Sequence, residues 1–285
     1  MTTETVETTE TTGAAPLTWL YVPGDRPEVM AKALAAGADV VVVDLEDAVA
    51  AERKEYARAA TADLLADPPP VPVHVRVNAL DGPEFTADLA ALQALAALGT
   101  LAGLRLPKVS SPAQIRRTAE RAPHLPLYAL LESALAVEHA YAVATAHPAL
   151  RGIALGESDL RADLGVRDDA GLDWPRSRVV LAARAAGLAP PAQSVHPDVR
   201  DLAGLAASCA HGRDLGFFGR AAIHPRQLPV IEAAYLPTPQ EIETAETVLR
   251  AAATQPGAQA LPDGRFIDTA VVAGAHRTLA MARRT

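Results

Sequence analysis

Eight short, continuous apolar runs separated by Ala-rich helical patterns constrain the fold of this 285-residue chain more than any other feature. The runs are Trp19–Val22, Asp39–Val43, Val73–Val77, Gly103–Leu106, Leu127–Leu131, Gly152–Leu155, Pro191–Val195 and Phe217–Ile223. Unbroken apolar runs suit parallel strands covered on both faces, because a half-exposed strand would alternate apolar with polar residues. Spacers such as Pro27–Ala36, Glu52–Leu65 and Ser111–Arg121 open on Pro, Ser or acidic residues and carry Lys or Arg later, as helix termini prefer. Eight β-α units predict an α/β (β/α)8 TIM barrel, a fold whose usual size of about 250 residues suits this chain. An open doubly wound sheet is the alternative, although no Gly-x-Gly-x-x-Gly follows the first run to favour it.

Composition narrows the partners. With 49% hydrophobic and 21% charged residues the chain has the material for a sizeable core. A net charge of −8 makes nucleic acid and anionic membranes unexpected partners. Cys209 is the single cysteine, which rules out an intramolecular disulfide and any multi-cysteine metal site and fits a reducing compartment, so the expected location is cytoplasmic. The Thr/Glu-rich start, Met1 to Thr12, lacks the basic and apolar regions of a signal peptide and is expected to be a disordered tail. Apolar stretches such as Ala38 to Val43 are far shorter than the roughly 20 residues a membrane span needs. The expected organisation is a tail over 1–15, a barrel over 16–236 and a helical lid or extension over 237–285.

In a barrel, residues just after each strand share one mouth, where active sites of this fold lie. Those residues are Asp44, Glu46 and Asp47 after the second run, Arg76 and Asn78 at the third, Lys108 after the fourth and Glu132 after the fifth. Asp159, His196 and His224 follow the last three. Glu132 and Asp159, carboxylates at neighbouring strand ends, suit Mg²⁺, which keeps several waters and takes few protein oxygens. The competing reading is helix capping, by Asp159 for its helix and by Ser133 for its own. Arg76, inside Val-His-Val-Arg-Val-Asn, needs an anionic partner because a guanidinium cannot shed its charge. It either holds substrate oxygens or forms a buried pair with Glu46 or Asp47, and the two roles are compatible. Acids in the Asp44–Asp47 run are equally suited to capping. None of the eight histidines has the His-x-x-x-His or His-Glu-x-x-His spacing of a zinc site.

The order of several segments carries a resemblance. They are Leu20-Tyr21-Val22-Pro23-Gly24, Ala38 to Val49 with its Asp-Leu-Glu-Asp, Val75-Arg76-Val77-Asn78, Leu106-Pro107-Lys108-Val109 and Gly156-Glu157-Ser158-Asp159-Leu160. Arg176-Ser177-Arg178, Leu215-Gly216-Phe217, Ile223-His224-Pro225 and Asp263 to Asp268 continue the series. The chain resembles the citrate lyase β-subunit-like branch of the HpcH/HpaI aldolase superfamily, which includes malyl-, citramalyl- and citryl-thioester lyases. The resemblance implies a barrel whose last helix packs on a neighbouring subunit, in a trimer or hexamer, with Mg²⁺ on Glu132 and Asp159. It implies carbon–carbon cleavage or condensation of a hydroxy-dicarboxylic or -tricarboxylic acyl thioester, carried by CoA or an acyl-carrier protein, with a 2-oxo acid as the other product. Arg76, with Glu46 and Asp47 beside it, would act on the reacting oxygens, and Asp268 would be the acid supplied by the adjacent subunit. Malyl-thioester hydrolysis and a non-catalytic acyl-CoA-binding role are the alternatives. Where the family usually has Asp-Gly-Val-Tyr after the seventh strand, this chain has Gln193-Ser194-Val195-His196, an amide in place of an acid expected near the rim of the site.

Overall fold

A computed structural model describes residues 15–254, 257–261 and 264–283. The expected tail, apart from Ala15, therefore lies outside the described residues, as does Asp263. Seven parallel strands form one sheet: β1 (Thr18–Pro23), β2 (Val40–Asp44), β3 (Val73–Arg76), β4 (Gly103–Leu106), β5 (Leu127–Leu131), β6 (Leu150–Leu155) and β7 (Arg220–Ala222). Their order is β6-β5-β4-β3-β2-β1-β7. Helices between successive strands return the chain for parallel pairing, as at Pro27–Leu34, Lys54–Leu64 and Pro112–Arg121. The helix Pro112–Arg121 starts as its sequence dictates, with Pro at the first turn and a capping box in which the side chains of Ser111 and Gln114 serve each other's backbone. Burial on both faces is complete at β2, where Val41, Val42 and Val43 are inaccessible to solvent.

The sheet curls so that residues of all seven strands and of the segment 192–195 line one cavity. Six of the eight expected strands lie where the apolar runs place them. The last two differ. Pro191–Val195 is not a strand but a single parallel bridge, Gln193 to Arg220. Pro190 and Pro191 have no N–H to give a ladder, so the pairing is limited to Phe218 N to Pro191 O, Gln193 N to Gly219 O and Ala221 N to Gln193 O, at 2.9, 2.9 and 3.0 Å. The expected run Phe217–Ile223 shortens to Arg220–Ala222 because Gly216 and Gly219 adopt φ of 94° and 77°, outside the extended region.

The described chain divides into two compact units, one over Pro16–Tyr235 and one containing Leu236 onward. In the second, helices Pro239–Thr254 and Thr269–Ala282 pack on each other around Ala245, Val248, Leu261, Ile267 and Ala275. A two-residue antiparallel pairing, Gln259–Ala260 with Phe266–Ile267, lies between those helices in sequence. Among the described residues no helix is long and apolar enough to cross a membrane.

Candidate active site

The C-terminal ends of β2, β3 and β5 bring a guanidinium and several carboxylates together. Asp44, the last residue of β2, is buried and does two things. Its Oδ1 and Oδ2 accept from the backbone N–H groups of Glu46 and Ala48, at 2.9 and 3.1 Å, which fixes the turn after the strand. The same oxygens accept from Arg76 Nε and Nη2, at 2.8 and 2.5 Å, in a two-pronged pair. Glu46 Oε2 lies 3.0 Å from Arg76 Nη1, and Asp47 Oδ2 lies 3.8 Å away. Burial works against the charge on Arg76, but Asp44 and Glu46 outweigh it and hold the group more strongly protonated than an ordinary arginine. The capping and ion-pair readings of the Asp44–Asp47 run both describe Asp44. Glu46 is an ion-pair residue, and Asp47 stays exposed.

Glu132 follows β5 and is buried. Its Oε2 accepts from the backbone N–H of Lys108 at 3.1 Å. Burial, reinforced by the nearby charges of Glu46 and Asp159, pushes its carboxyl up to about 8. Gly156 makes room for it: a Cβ there would stand 2.5 Å from Glu132 Cγ and 2.7 Å from Oε1, so no larger residue fits beneath the carboxylate. Asp159 does not cap its helix. Gly156 occupies the N-cap of Glu157–Leu164, which leaves Asp159 in the first turn with its exposed side chain lining the same cavity as Glu132 and Arg76. Ser133 does cap its own helix, accepting from Ala136 N. The cavity encloses about 400 Å³.

These donors fit Mg²⁺. Two carboxylates face one space, one of them strained by burial and like charge in a way a cation relieves. The described residues hold no group of three or more His, Cys, Asp or Glu arranged around a metal. Two protein oxygens with the other positions left to water and ligand is the arrangement Mg²⁺ prefers.

Lys108, which its position just past β4 already puts at the mouth, belongs to this cluster through contacts that strand-end position alone does not reveal. Its Nζ donates to Glu46 Oε1 and approaches Asp47, and its backbone adopts a φ of 54°, rare for a residue with a Cβ. That conformation turns its N–H toward Glu132. Lys54 adds a second ammonium, donating to the carbonyls of Leu45 and Glu46 at 2.6 Å each. Glu157 lines the cavity and is held by Arg176, which also pairs with Asp169 and Asp173.

The side chains of Gln193, His196 and His224 make their polar contacts with residues outside this cluster. The Gln193 side chain is not at the rim: it is 2% exposed, accepts from Tyr235 Oη at 2.6 Å and donates to Ser208 O at 3.0 Å. A Cβ on Gly212 would collide with it, so helix Leu202–Asp214 presses directly on the amide. His196 is partly buried, with Nε2 3.5 Å from Asp201, and His224 accepts from Arg226 N through Nδ1. Asp268 is the N-cap of helix Thr269–Ala282, its Oδ1 accepting from Val271 N at 2.9 Å.

A curled parallel sheet whose strand ends present an acid-clamped arginine beside paired carboxylates defines an α/β protein of the barrel-like kind that keeps its chemistry at one mouth. Residues 17–225 match the family described as HpcH/HpaI aldolase/citrate lyase, and the chain belongs to that family. A relative named (3S)-malyl-CoA thioesterase, from Cereibacter sphaeroides, is 37% identical over 271 residues, covering 92% of this chain and 93% of its own. A citrate lyase subunit beta-like protein from Mycobacterium tuberculosis is 36% identical, with the same coverage of both chains. Among solved structures, CitE from Mycobacterium tuberculosis in complex with magnesium, acetoacetate and coenzyme A superposes with a TM-score of 0.81 at 36% identity, over 95% of this chain and 99% of that one. The citrate lyase beta subunit of the same organism, complexed with oxaloacetate and magnesium, matches at a TM-score of 0.69 over 79% of this chain and 98% of that one.

Proposed function

We propose that this protein is a Mg²⁺-dependent carbon–carbon lyase, or the reverse condensing enzyme, acting on a malyl-, citramalyl- or citryl-type acyl thioester. One observation carries the reading: a guanidinium clamped by Asp44 and Glu46 shares a cavity with Glu132 and Asp159, and the ionised form of Glu132, which burial and like charge disfavour, is the form a bound cation would stabilise. Magnesium complexes of similar proteins support the metal. We read the curled sheet with its Gln193 bridge as a (β/α)8 barrel, residues 16–236, and the segment 237–285 as a lid that meets a neighbouring subunit in a trimer or hexamer.

In this reading Glu132 and Asp159 hold Mg²⁺, which supplies a Lewis acid for the oxygens of the 2-oxo acid half when bound. Arg76 has five N–H groups, of which Nε and one on Nη2 are used by Asp44. Others remain to meet substrate oxygens, and their hold tightens as negative charge moves onto those oxygens in the transition state. Asp44, Glu46 and Asp47 keep the guanidinium aimed, and Lys108 holds Glu46 in place. Asp268, contributed by a neighbouring subunit, exchanges a proton with the α-carbon of the acyl enolate. CoA carries the thioester in this reading, as the CitE complex with coenzyme A supports.

A second reading, hydrolysis of the thioester, is favoured by the 37% identity to relatives named (3S)-malyl-CoA thioesterase. Incubation of malyl-, citramalyl- and citryl-CoA with Mg²⁺ separates the two. A lyase releases glyoxylate, pyruvate or oxaloacetate together with an acyl-CoA. A thioesterase instead releases the intact hydroxy acid and free CoA thiol. No product of either kind from any of the three would leave a binding role only.

A further inference from the structure

Arg105 plays no part in the chemistry above, yet it is buried in the same cavity. It is 5% exposed and lies on β4 between Arg76 and Tyr128 in register. Its guanidinium carbon is 5.8 Å from the Trp19 ring centre, 5.8 Å from that of Tyr21 and 5.7 Å from that of Tyr128. Its Nε is fully buried with no hydrogen-bond partner, and among the described residues no carboxylate pairs with it. The contrast with Arg76, its neighbour across one ladder, is direct: Arg76 has Asp44 and Glu46, whereas Arg105 has three aromatic rings.

Aromatic faces attract a cation but accept none of its five N–H groups as a carboxylate does. His74, stacked on Tyr128 at 4.4 Å, offers no anion either, and burial together with Arg105 keeps it uncharged. Because a guanidinium cannot deprotonate, the floor of the cavity presents a fixed positive fork with its acceptor missing. A flat fork in an apolar surround matches a carboxylate bidentately.

We propose that Arg105 is a second carboxylate-binding subsite on the floor of the cavity, selecting 2-oxo acids that carry a second carboxylate over those that carry one. This rests on the reading of the mouth as a metal-assisted 2-oxo acid site. Glu132 stands four residues beyond Tyr128, the register partner of Arg105, or about 13 Å of strand at about 3.3 Å per residue. Both side chains line the intervening cavity and shorten that gap. A four- or five-carbon diacid held at the mouth by its 2-oxo carboxylate end directs the other carboxylate toward Arg105. Pyruvate ends in a methyl group and leaves the guanidinium without an acceptor.

The test is titration calorimetry of the full chain in Mg²⁺ with oxaloacetate, 2-oxoglutarate and pyruvate. At least one diacid is expected to bind about tenfold or more tightly than pyruvate, the scale of a charge-assisted pair. Arg105→Met, which keeps length and loses charge, should erase that advantage while pyruvate affinity is retained. Diacids no tighter than pyruvate, or an advantage that survives Arg105→Met, overturn the subsite. A measurement on the unaltered cavity guards against misfolding of that variant. With Trp174→Phe, Trp19 is the single tryptophan, and saturation by the preferred diacid should shift its emission where pyruvate does not. Unchanged emission would also overturn the proposal. Failure of all three acids to bind overturns the 2-oxo acid reading itself, and this inference with it.

Discussion

At Glu132, burial and two neighbouring acids act in the same direction, and only the Lys108 N–H and the nearby cations oppose them. A carboxylate in such a position is costly to keep charged without a cation, so its replacement should reveal what it holds. Glu132→Gln and Asp159→Asn keep shape and remove the charge that a hard cation prefers. Each should weaken Mg²⁺ binding by about tenfold or more in titration calorimetry, since a charged contact contributes about 1.5–3 kcal/mol. Thermal unfolding should stay close to that of the parent protein. For Glu132→Gln it should if anything rise, because a neutral amide suits the buried position. Parent-like Mg²⁺ affinity in either variant would return that residue to a purely structural role.

Among the elements, the segment 191–195 shows how a departure from a family's usual residues can be structural. Gln193 is locked between Tyr235, Ser208 and Arg220 on the helix-covered face of the sheet. Tyr235→Phe should therefore cost about 1–3 kcal/mol of stability by leaving a buried amide acceptor short of its donor. Mg²⁺ affinity should be unchanged, and a loss of metal binding would place Gln193 at the site after all. The same segment shows what sequence could reveal. Six strands were legible because unbroken runs such as Val40–Val43 are buried on both faces, and a residue just past such a run must lie at the mouth. Asp44, Arg76 and Glu132 were found that way. The direction of Gln193, the backbone of Lys108 and the ring cage of Arg105 were not, because each depends on register or on a single torsion angle. Pro190-Pro191 did carry a readable signal, since neither residue can donate to a ladder.

For the molecule as a whole, acid should weaken the fold through His74 before most carboxylates are protonated. Burial, aided by Arg105, holds the His74 pKa well below its usual value. The unfolded chain takes up that proton near pH 6.5 while the native chain does not, so this stability is complete above about pH 6.5 and is lost as pH falls toward the depressed native value. The slope approaches about 1.4 kcal/mol per pH unit, and denaturant unfolding of His74→Phe should show a shallower dependence between pH 6.5 and 5. An unchanged profile would assign the acid sensitivity elsewhere. Assembly raises the remaining question, the origin of the proton. Asp268 caps the helix Thr269–Ala282 through Oδ1, and Asn caps a helix about as well as Asp. Asp268→Asn therefore separates the two roles: the helix should persist, Mg²⁺ and 2-oxo acid binding should stay near parent values, and proton exchange at the acyl α-carbon should be lost. If the acid is supplied by a neighbouring subunit, Asp268→Asn and Arg76→Ala fail at different halves of a shared site. Mixing the two inactive proteins under conditions of subunit exchange should then restore partial activity, because some mouths retain Arg76 and receive Asp268 from the other chain. A cap would not complement in this way. Absence of recovery, with subunit exchange verified and both parents folded, would remove Asp268 from the reaction and leave it as the start of the last helix.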